Sequence, residues 1–186
     1  MSPIVGLTQY YTAATLDGYI ADAEHSLDWL FTREREPDGP LNYGDFIAGV
    51  GAMAMGATTY EWILDHEFRG KDPADWKWTY DVPCWVFTHR ELPVVRDARI
   101  EFASGDVAAV HPKLVEAAGA RNVWLVGGGD LVGQFADAGL LDEVLVMIAP
   151  VTLGAGAPLL PRRLELRLDE VARNGDFAAA RYSVVR

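Results

Sequence analysis

One stretch of the sequence, residues 122–150, constrains the fold more than any other. It contains an apolar run, the glycine triplet of residues 127–129, a short helical pattern, a turn and a second apolar run. A strand that leads through glycines into a helix presents backbone N–H groups and the positive end of the helix dipole at one edge of a sheet. The stretch therefore predicts a phosphate-binding turn in an α/β protein, with an ordinary tight turn as the alternative.

The spacing of these glycines argues against a dinucleotide-binding Rossmann unit. Gly127 and Gly129 would occupy the first two positions of that fingerprint, but its third position is Val132. The Rossmann fingerprint also lies in the first strand–helix unit of its sheet, whereas this triplet occurs late in the chain. The pattern therefore indicates another kind of nucleotide-binding sheet.

Composition and charge exclude several classes of protein. The chain has 186 residues, of which 50% are hydrophobic, and this predicts one globular domain over residues 1–186. The net charge of -11 disfavours nucleic acid as a partner, because phosphate backbones require a basic face. No apolar run is long enough to span a bilayer, no secretory signal is visible, and the single cysteine, Cys84, suits a reducing compartment. We therefore expect a cytoplasmic protein without a membrane partner.

Apolar patterns predict strands that alternate with helices and end in a hairpin. The predicted strands cover residues 6–14, 52–55, 83–88, both apolar runs of 122–150, 164–171 and 177–185, with short pieces at 94–95 and 100–102. The predicted helices cover residues 43–50, 56–64 with Thr58 or Thr59 as N-cap, and 107–118 between Asp106 and Gly119. A long polar loop, residues 23–42, includes one helical turn, and Asn174-Gly175 predicts the hairpin turn.

Two further strand ends could contact a phosphate. Gly56 lies between a short strand and a helix, so it could place a second set of backbone donors beside the glycine triplet, unless it is an ordinary helix start. His89 and Arg90 follow another strand, where a cation could bind a phosphate monoester, with a solvated strand end as the alternative. No metal-ligand spacing occurs among the histidines and Cys84, so no metal site is predicted.

If a bound cofactor carries the transferred group, the protein has to position the reactants and to supply one proton. A carboxylic acid that keeps its proton at neutral pH needs apolar surroundings, which raise its pKa. Asp28 precedes Trp29, and Asp45 precedes Phe46, so these two carboxyl groups are the candidate proton donors. An N-cap or a surface charge is the alternative for each.

Five motifs in a fixed order resemble the dihydrofolate reductase superfamily, and most closely its branch of riboflavin-biosynthesis reductases, the RibD C-terminal domain. The motifs lie at residues 12–20, 50–63, 85–90, 126–135 and 139–156. The resemblance implies a three-layer α/β fold with a mostly parallel central sheet and an antiparallel C-terminal hairpin. It also implies an NADPH-dependent oxidoreductase that transfers hydride to a small heterocyclic substrate, such as a pterin or a pyrimidine.

The resemblance assigns roles to particular positions. Ala13 would offer its backbone to the nicotinamide carboxamide, and the Gly127–Gly128 bond resembles the family's cis peptide. The remaining expected cofactor contacts lie at strand ends and helix starts: Gly56, Thr58, Thr59, Thr88, His89, Arg90, Gly127, Gly128, Gly129, Asp130 and Leu131. The expected substrate contacts are Asp17, Trp29 and Tyr43, with Trp76 and Trp78 as further stacking walls or, alternatively, as core residues.

Two departures from the folate reductases leave alternatives open. Ala57 stands where those enzymes have an arginine that reads the 2′-phosphate, so a preference for NADPH over NADH depends on His89 and Arg90. The loop of residues 23–42 differs in length, and Asp45 is the nearest match to the family's acid. The branch forms homodimers through a sheet edge, and we expect the same here. The alternative functions are the pyrimidine reductase of riboflavin synthesis and a non-catalytic small-molecule binder.

Overall fold

The computed structural model describes residues 6–186, and residues 1–5 of the predicted domain lie outside the described residues. The strands are β1 (Thr8–Thr15), β2 (Tyr19–Ala21), β3 (Val50–Gly56), β4 (Cys84–Phe87), β5 (Ile100–Ala103), β6 (Asn122–Gly127), β7 (Glu143–Ala149), β8 (Ala157–Pro158), β9 (Leu166–Asn174) and β10 (Phe177–Val184). The α-helices are α1 (Asp28–Phe31), α2 (Tyr43–Ala48), α3 (Ala57–Phe68), α4 (Val107–Ala118) and α5 (Gly129–Asp137), and a 3-10 helix covers Pro73–Asp75.

The main sheet has eight strands in the order β5-β4-β3-β6-β1-β7-β10-β9. All neighbours from β5 to β7 are parallel, whereas β10 pairs antiparallel with both β7 and β9. This confirms the predicted mostly parallel α/β sheet with an antiparallel C-terminal hairpin. Parallel neighbours need long crossovers. Helices lie in these crossovers except between β4 and β5, which residues 88–99 join without a helix, and the last two strands are joined directly.

Two apolar layers cover the opposite faces of this sheet. Along β3, the side chains of Ala52 and Ala54 pack in the cluster that contains α4 and α5, while those of Met53 and Met55 pack in the cluster that contains α2 and α3. Successive side chains of a strand point to opposite faces, so a strand that is apolar throughout can be buried on both. The helices therefore form the outer layers of a three-layer structure.

Several local predictions were wrong. Helix α3 begins at Ala57 with Gly56 as its N-cap, so neither Thr58 nor Thr59 caps it. Residues 94–95 form no strand, and the apolar side chain of Val95 instead packs in the core cluster that contains α3. The hairpin turn consists of Gly175 and Asp176, one residue later than expected, because Asn174 pairs with Phe177.

Other local predictions were confirmed. Helix α4 begins at Val107 after Asp106, whose side chain accepts a hydrogen bond from the Ala108 N–H, and it ends at Gly119 with φ 64. The loop before α2 contains one helical turn, α1. The pairing of β2 with β8 was not foreseen, because these strands have only 3 and 2 residues and carry no periodicity.

His111 on α4 makes stability depend on pH. Its Nε2 shares a hydrogen bond of 2.8 Å with the Thr8 hydroxyl, and burial lowers the pKa of the imidazole, although Asp142 opposes this shift. The unfolded chain therefore binds a proton at a higher pH than the folded chain. We expect no effect well above pH ~6.5 and a falling free energy of unfolding as the pH drops below that value.

Urea unfolding of the wild type and of His111→Gln at a series of pH values tests this dependence. As the pH falls below neutrality, the free energy of unfolding of the variant should decrease less than that of the wild type, since glutamine does not titrate. Equal declines in the two proteins would show that His111 does not cause it.

Candidate functional site

A cavity of about 1060 Å³ opens at the carboxyl ends of the parallel strands. Ala13 of β1, Gly56 of β3, Phe87 of β4 and Gly127 of β6 all line it. Ligands of open α/β sheets bind at this edge, because parallel strands end there together and leave a crevice. The volume slightly exceeds the range of about 300–1,000 Å³ for small-molecule sites, so it suits a long ligand or two adjoining ones.

Two helix N-termini converge at the middle of this cavity. Helix α3 follows Gly56 and helix α5 follows Gly128, and neither N-cap residue makes a side-chain hydrogen bond. A Cβ atom built on Gly56 would lie 3.8 Å from the Gly127 carbonyl oxygen and 3.9 Å from the Gly128 nitrogen, so the two bends lie side by side. The first N–H groups of a helix lack partners within it, and two such ends together form a site for an anion.

The three glycines of the triplet are required for different reasons. Gly127 has φ 140, a conformation that other residues rarely adopt, and its bond to Gly128 is cis. A Cβ atom on Gly129 would lie 2.3 Å from the Pro158 carbonyl oxygen and 2.5 Å from that of Leu159. Gly128 has an ordinary φ of -76, and a Cβ atom there would meet nothing within 4 Å. At Gly128, therefore, the space of the missing side chain is open to a ligand, whereas at Gly129 backbone atoms fill it.

Asp130 lies in the first turn of α5 and lines the cavity. Its carboxylate accepts hydrogen bonds from Gln134 Nε2 at 3.1 Å and from Arg162 Nη2 at 3.0 Å. These two bonds lower the pKa of the Asp130 carboxyl group and keep it ionised. Arg162 also pairs with Asp137 at 2.7 Å, so its charge offsets only part of the negative charge of Asp130.

The end of the cavity beside β4 and β5 differs from the expectation. Thr88 and His89 line it as expected, together with Ser104, which follows β5 and was missed. Arg90 does not line it, because both its Nη atoms donate to the Glu61 carboxylate, at 2.9 and 2.8 Å. In this structure Arg90 is therefore paired with Glu61 and is not directed at the predicted phosphate site. Ser104 could have been found as the residue after a strand that runs parallel to β4.

The opposite end of the cavity is lined by aromatic side chains. Tyr43 lies there as expected, with Tyr11, Tyr80 and Trp124. The Tyr11 ring stacks on Phe46 with centroids 4.3 Å apart, and the Tyr43 and Trp124 rings meet edge to face at 6.0 Å. Burial raises the pKa of Tyr11 to about 12. Tyr11 was missed, although the period of two along β1 places it on the face of Ala13.

Neither carboxylic acid that was expected to donate a proton lines this cavity. Asp28 is exposed in the first turn of α1 and faces a smaller, neighbouring cavity of about 670 Å³. Asp45 is also exposed and exchanges hydrogen bonds with Asn42, whose side chain caps α2. The expectation of apolar surroundings for these two carboxyl groups was wrong, because apolar neighbours in sequence do not bury a side chain that lies on the outer face of its helix.

Two expected substrate contacts are likewise structural. The Asp17 carboxylate accepts hydrogen bonds from the Thr15 hydroxyl at 2.6 Å and from the backbone N–H groups of Leu153 and Gly154 at 3.1 and 2.7 Å. These bonds, that of Thr15 above all, lower the pKa of Asp17 and hold two loops together. Trp29 is buried in the core, and Trp76 and Trp78 pack in the core cluster that contains α3. Core packing, the stated alternative for Trp76 and Trp78, is what the structure shows for them and for Trp29.

The described part of the chain offers no metal site, no reactive thiol and no membrane-spanning helix. Within residues 6–186, no cluster of three or more His, Cys, Asp or Glu side chains is placed to hold a metal ion. Cys84 is free and buried, and burial raises the pKa of its thiol to about 12, which keeps it unreactive. None of the helices described has the length and apolar character needed to cross a membrane.

Comparisons with known proteins agree with this geometry. A model of the RibD C-terminal domain family matches residues 8–175. The uncharacterized protein YwjB of Bacillus subtilis (strain 168) is 32% identical over 180 residues, which cover 94% of this chain and 96% of that protein. A putative riboflavin biosynthesis protein from Shewanella sp. PV-4 has a TM-score of 0.79 at 23% identity, with 97% of this chain and 99% of that one covered. Dihydrofolate reductase from Enterococcus faecalis, solved with NADP(H), has a TM-score of 0.60 at 11% identity, with 99% of both chains covered. The fold is therefore dihydrofolate reductase-like.

Proposed function

This chain belongs to the RibD C-terminal domain family, and on that premise we propose that it is an NADPH-dependent reductase of a small planar heterocycle, such as a pterin or a pyrimidine. The observation that carries the proposal is the convergence of the α3 and α5 N-termini, without side-chain caps, in a cavity with an aromatic end. Backbone donors suit a diphosphate, and aromatic walls suit a flat ring. NADPH, when bound, would supply the hydride.

The residues of the chain would orient the reactants. The N–H groups that begin α3 and α5 would bind the diphosphate, and the small side chain of Ala13 would let a flat ring lie against β1. Tyr11, Tyr43 and Trp124 would hold the substrate ring and exclude water from its face. These parts agree with the solved dihydrofolate reductase, which contains NADP(H) on a similar fold.

The proton of the reduction is proposed to come from water. The carboxyl groups that line the cavity, namely Glu36, Asp38 and Asp130, are all exposed, so none of them is a buried acid beside the substrate. A phenol whose pKa is about 12, as for Tyr11, donates poorly at neutral pH. A solvent proton that enters beside the exposed loop of residues 32–42 suits this arrangement.

NADPH is proposed over NADH, with a small preference. Ala57 offers no charge to a 2′-phosphate, and Arg90 is paired with Glu61. His89 and Ser104 remain at the end of the cavity where that phosphate would lie. Fewer charged partners give less discrimination between the two cofactors.

Titration with NADPH, NADH and ADP-ribose, followed by quenching of tryptophan fluorescence, tests the cofactor site. Trp62 and Trp124 line the cavity, so a bound ligand should quench their fluorescence. We expect saturable binding of all three compounds, tightest for NADPH. Oxidation of NADPH is then measured with a panel of pterins, pyrimidines and quinones. An absence of NADPH binding would overturn the proposal.

Two other functions give different outcomes in the same assays. The pyrimidine reductase of riboflavin synthesis is favoured by the family match, and it predicts turnover of 5-amino-6-(5-phosphoribosylamino)uracil alone. A non-catalytic binder is favoured by the absence of a buried carboxyl group among the described residues that line the cavity. It predicts binding of NADPH without oxidation by any member of the panel.

A further inference from the structure

The loop between α1 and α2 brings one cation to the aromatic end of the cavity. Arg35 lines this end, and in the described part of the chain no carboxylate lies within salt-bridge distance of its guanidinium. We propose that Arg35 binds an anionic substituent, a carboxylate or a phosphate, on the ring of the substrate. This inference rests on the proposed function and names the class of heterocycle that it reduces.

The charge of Arg35 acts on the aromatic rings themselves. It opposes the effect of burial on the pKa of both Tyr11 and Tyr43, so the guanidinium lies near both hydroxyl groups. The Tyr11 hydroxyl donates a hydrogen bond of 3.0 Å to the carbonyl oxygen of Leu41 in the same loop, so the loop itself lies against this ring. Arg35 is therefore a cation that lines the cavity on a loop in contact with the rings. In a chain with a net charge of -11, such a cation attracts anions to one place.

The β9–β10 turn positions this arginine from the other end of the chain. The Glu34 N–H donates to the Asp176 carboxylate at 2.8 Å, and the Asp176 N–H donates to the Glu34 carbonyl at 2.9 Å. The Glu36 N–H donates to the side-chain oxygen of Asn174 at 2.8 Å. The backbone is thus held on both sides of Arg35, and Asn174 is only 1% exposed. Asn174 and Asp176 are positioning residues for the cation.

The geometry favours a particular kind of ligand. A guanidinium presents two parallel N–H donors, which match the two oxygens of a carboxylate or a phosphate. The rings of Tyr11, Tyr43 and Trp124 supply flat apolar surface beside it. A planar ring that carries an acidic group therefore satisfies both parts of the site, whereas a neutral ring leaves the guanidinium to water.

Binding of matched ligand pairs tests the assignment. The probes are pterin-6-carboxylate against pterin, and orotate against uracil, titrated into the full chain by calorimetry at low salt. The acidic member of each pair should bind up to about fivefold more tightly, the range that an exposed ion pair provides, and added salt should reduce the difference. Equal affinities within both pairs would overturn the proposal.

Variants assign the preference to Arg35. Arg35→Gln should remove it and Arg35→Lys should keep part of it, while Arg163→Gln, at a side chain that is 94% exposed, should leave it unchanged. Asp176→Ala should reduce it through loss of position, and Asp176→Asn, which retains an acceptor for the Glu34 N–H, should restore it. A preference that survives Arg35→Gln would overturn the assignment.

NADPH binding by the same proteins separates the two proposals. A chain that binds NADPH but shows no preference for acidic ligands retains the proposed function and loses this inference. A chain that prefers acidic ligands through Arg35 but does not bind NADPH retains the anion site and loses the reductase function.

Discussion

Gly128→Ala is expected to weaken NADPH binding by at least about tenfold while the protein remains as stable as the wild type. The new methyl group would project into the cavity, where the structure offers no neighbour within 4 Å, and would hold the diphosphate away from the N–H groups of α5. Loss of one hydrogen bond to a charged group costs about 1.5–3 kcal/mol, or roughly ten- to a hundredfold in affinity. The φ of -76 at this residue suits alanine, so the substitution should leave the free energy of unfolding unchanged or raise it slightly.

Fluorescence titration with NADPH and thermal unfolding measure the two halves of this prediction. Gly49→Ala is the matched control, because Gly49 has φ -83, lies outside the cavity and would place its Cβ atom no closer than 3.4 Å to a neighbour. The control should bind NADPH like the wild type. Unchanged NADPH affinity in Gly128→Ala would show that the diphosphate does not lie at the start of α5.

Gly129→Ala, one residue further, is expected to act on stability. Its methyl group would overlap two backbone oxygens, those of Pro158 and Leu159, at 2.3 and 2.5 Å. Backbone atoms cannot turn aside like a flexible side chain, so the β8 segment or the start of α5 must shift. Such overpacking costs about 3 kcal/mol, which lowers the melting temperature of a chain of this size by roughly 6–12 °C.

Calorimetric melting of the Gly128 and Gly129 variants, side by side, tests this difference. A melting temperature of Gly129→Ala within about 2 °C of the wild type, a shift worth no more than about 1 kcal/mol, would contradict the close contact with β8. Cofactor affinity is a secondary readout for this variant, because a shift of α5 also moves the N–H groups that face the cavity.

The local patterns of the sequence were enough to predict the sheet and the centre of the site. Apolar periodicity identified β1, β3, β4, β6 and β7 to within a few residues, and both bends that meet in the cavity, at Gly56 and at residues 127–129, were expected there. Parallel strands end at one edge whatever their side chains are, so glycines at those ends come together through backbone geometry alone. The turn of the hairpin was misplaced by one residue, because only the pairing of Asn174 with Phe177 defines it.

The side chains around that centre depended on contacts between distant parts of the chain. Arg90 was expected to bind phosphate but pairs with Glu61 of another helix, and Asp28 and Asp45 were expected in apolar surroundings but lie at the surface. Arg35 reaches the cavity because its loop is bonded to a turn about 140 positions away in sequence.

The sequence by itself therefore determined the order of strands and helices and the two glycine bends, since these follow from periodicity and from backbone conformation, which are local. The tertiary structure alone decided which charges are paired, which are exposed and which face a ligand. Burial and ion pairing depend on the neighbours that packing supplies, and no nearby residue in the sequence reveals them.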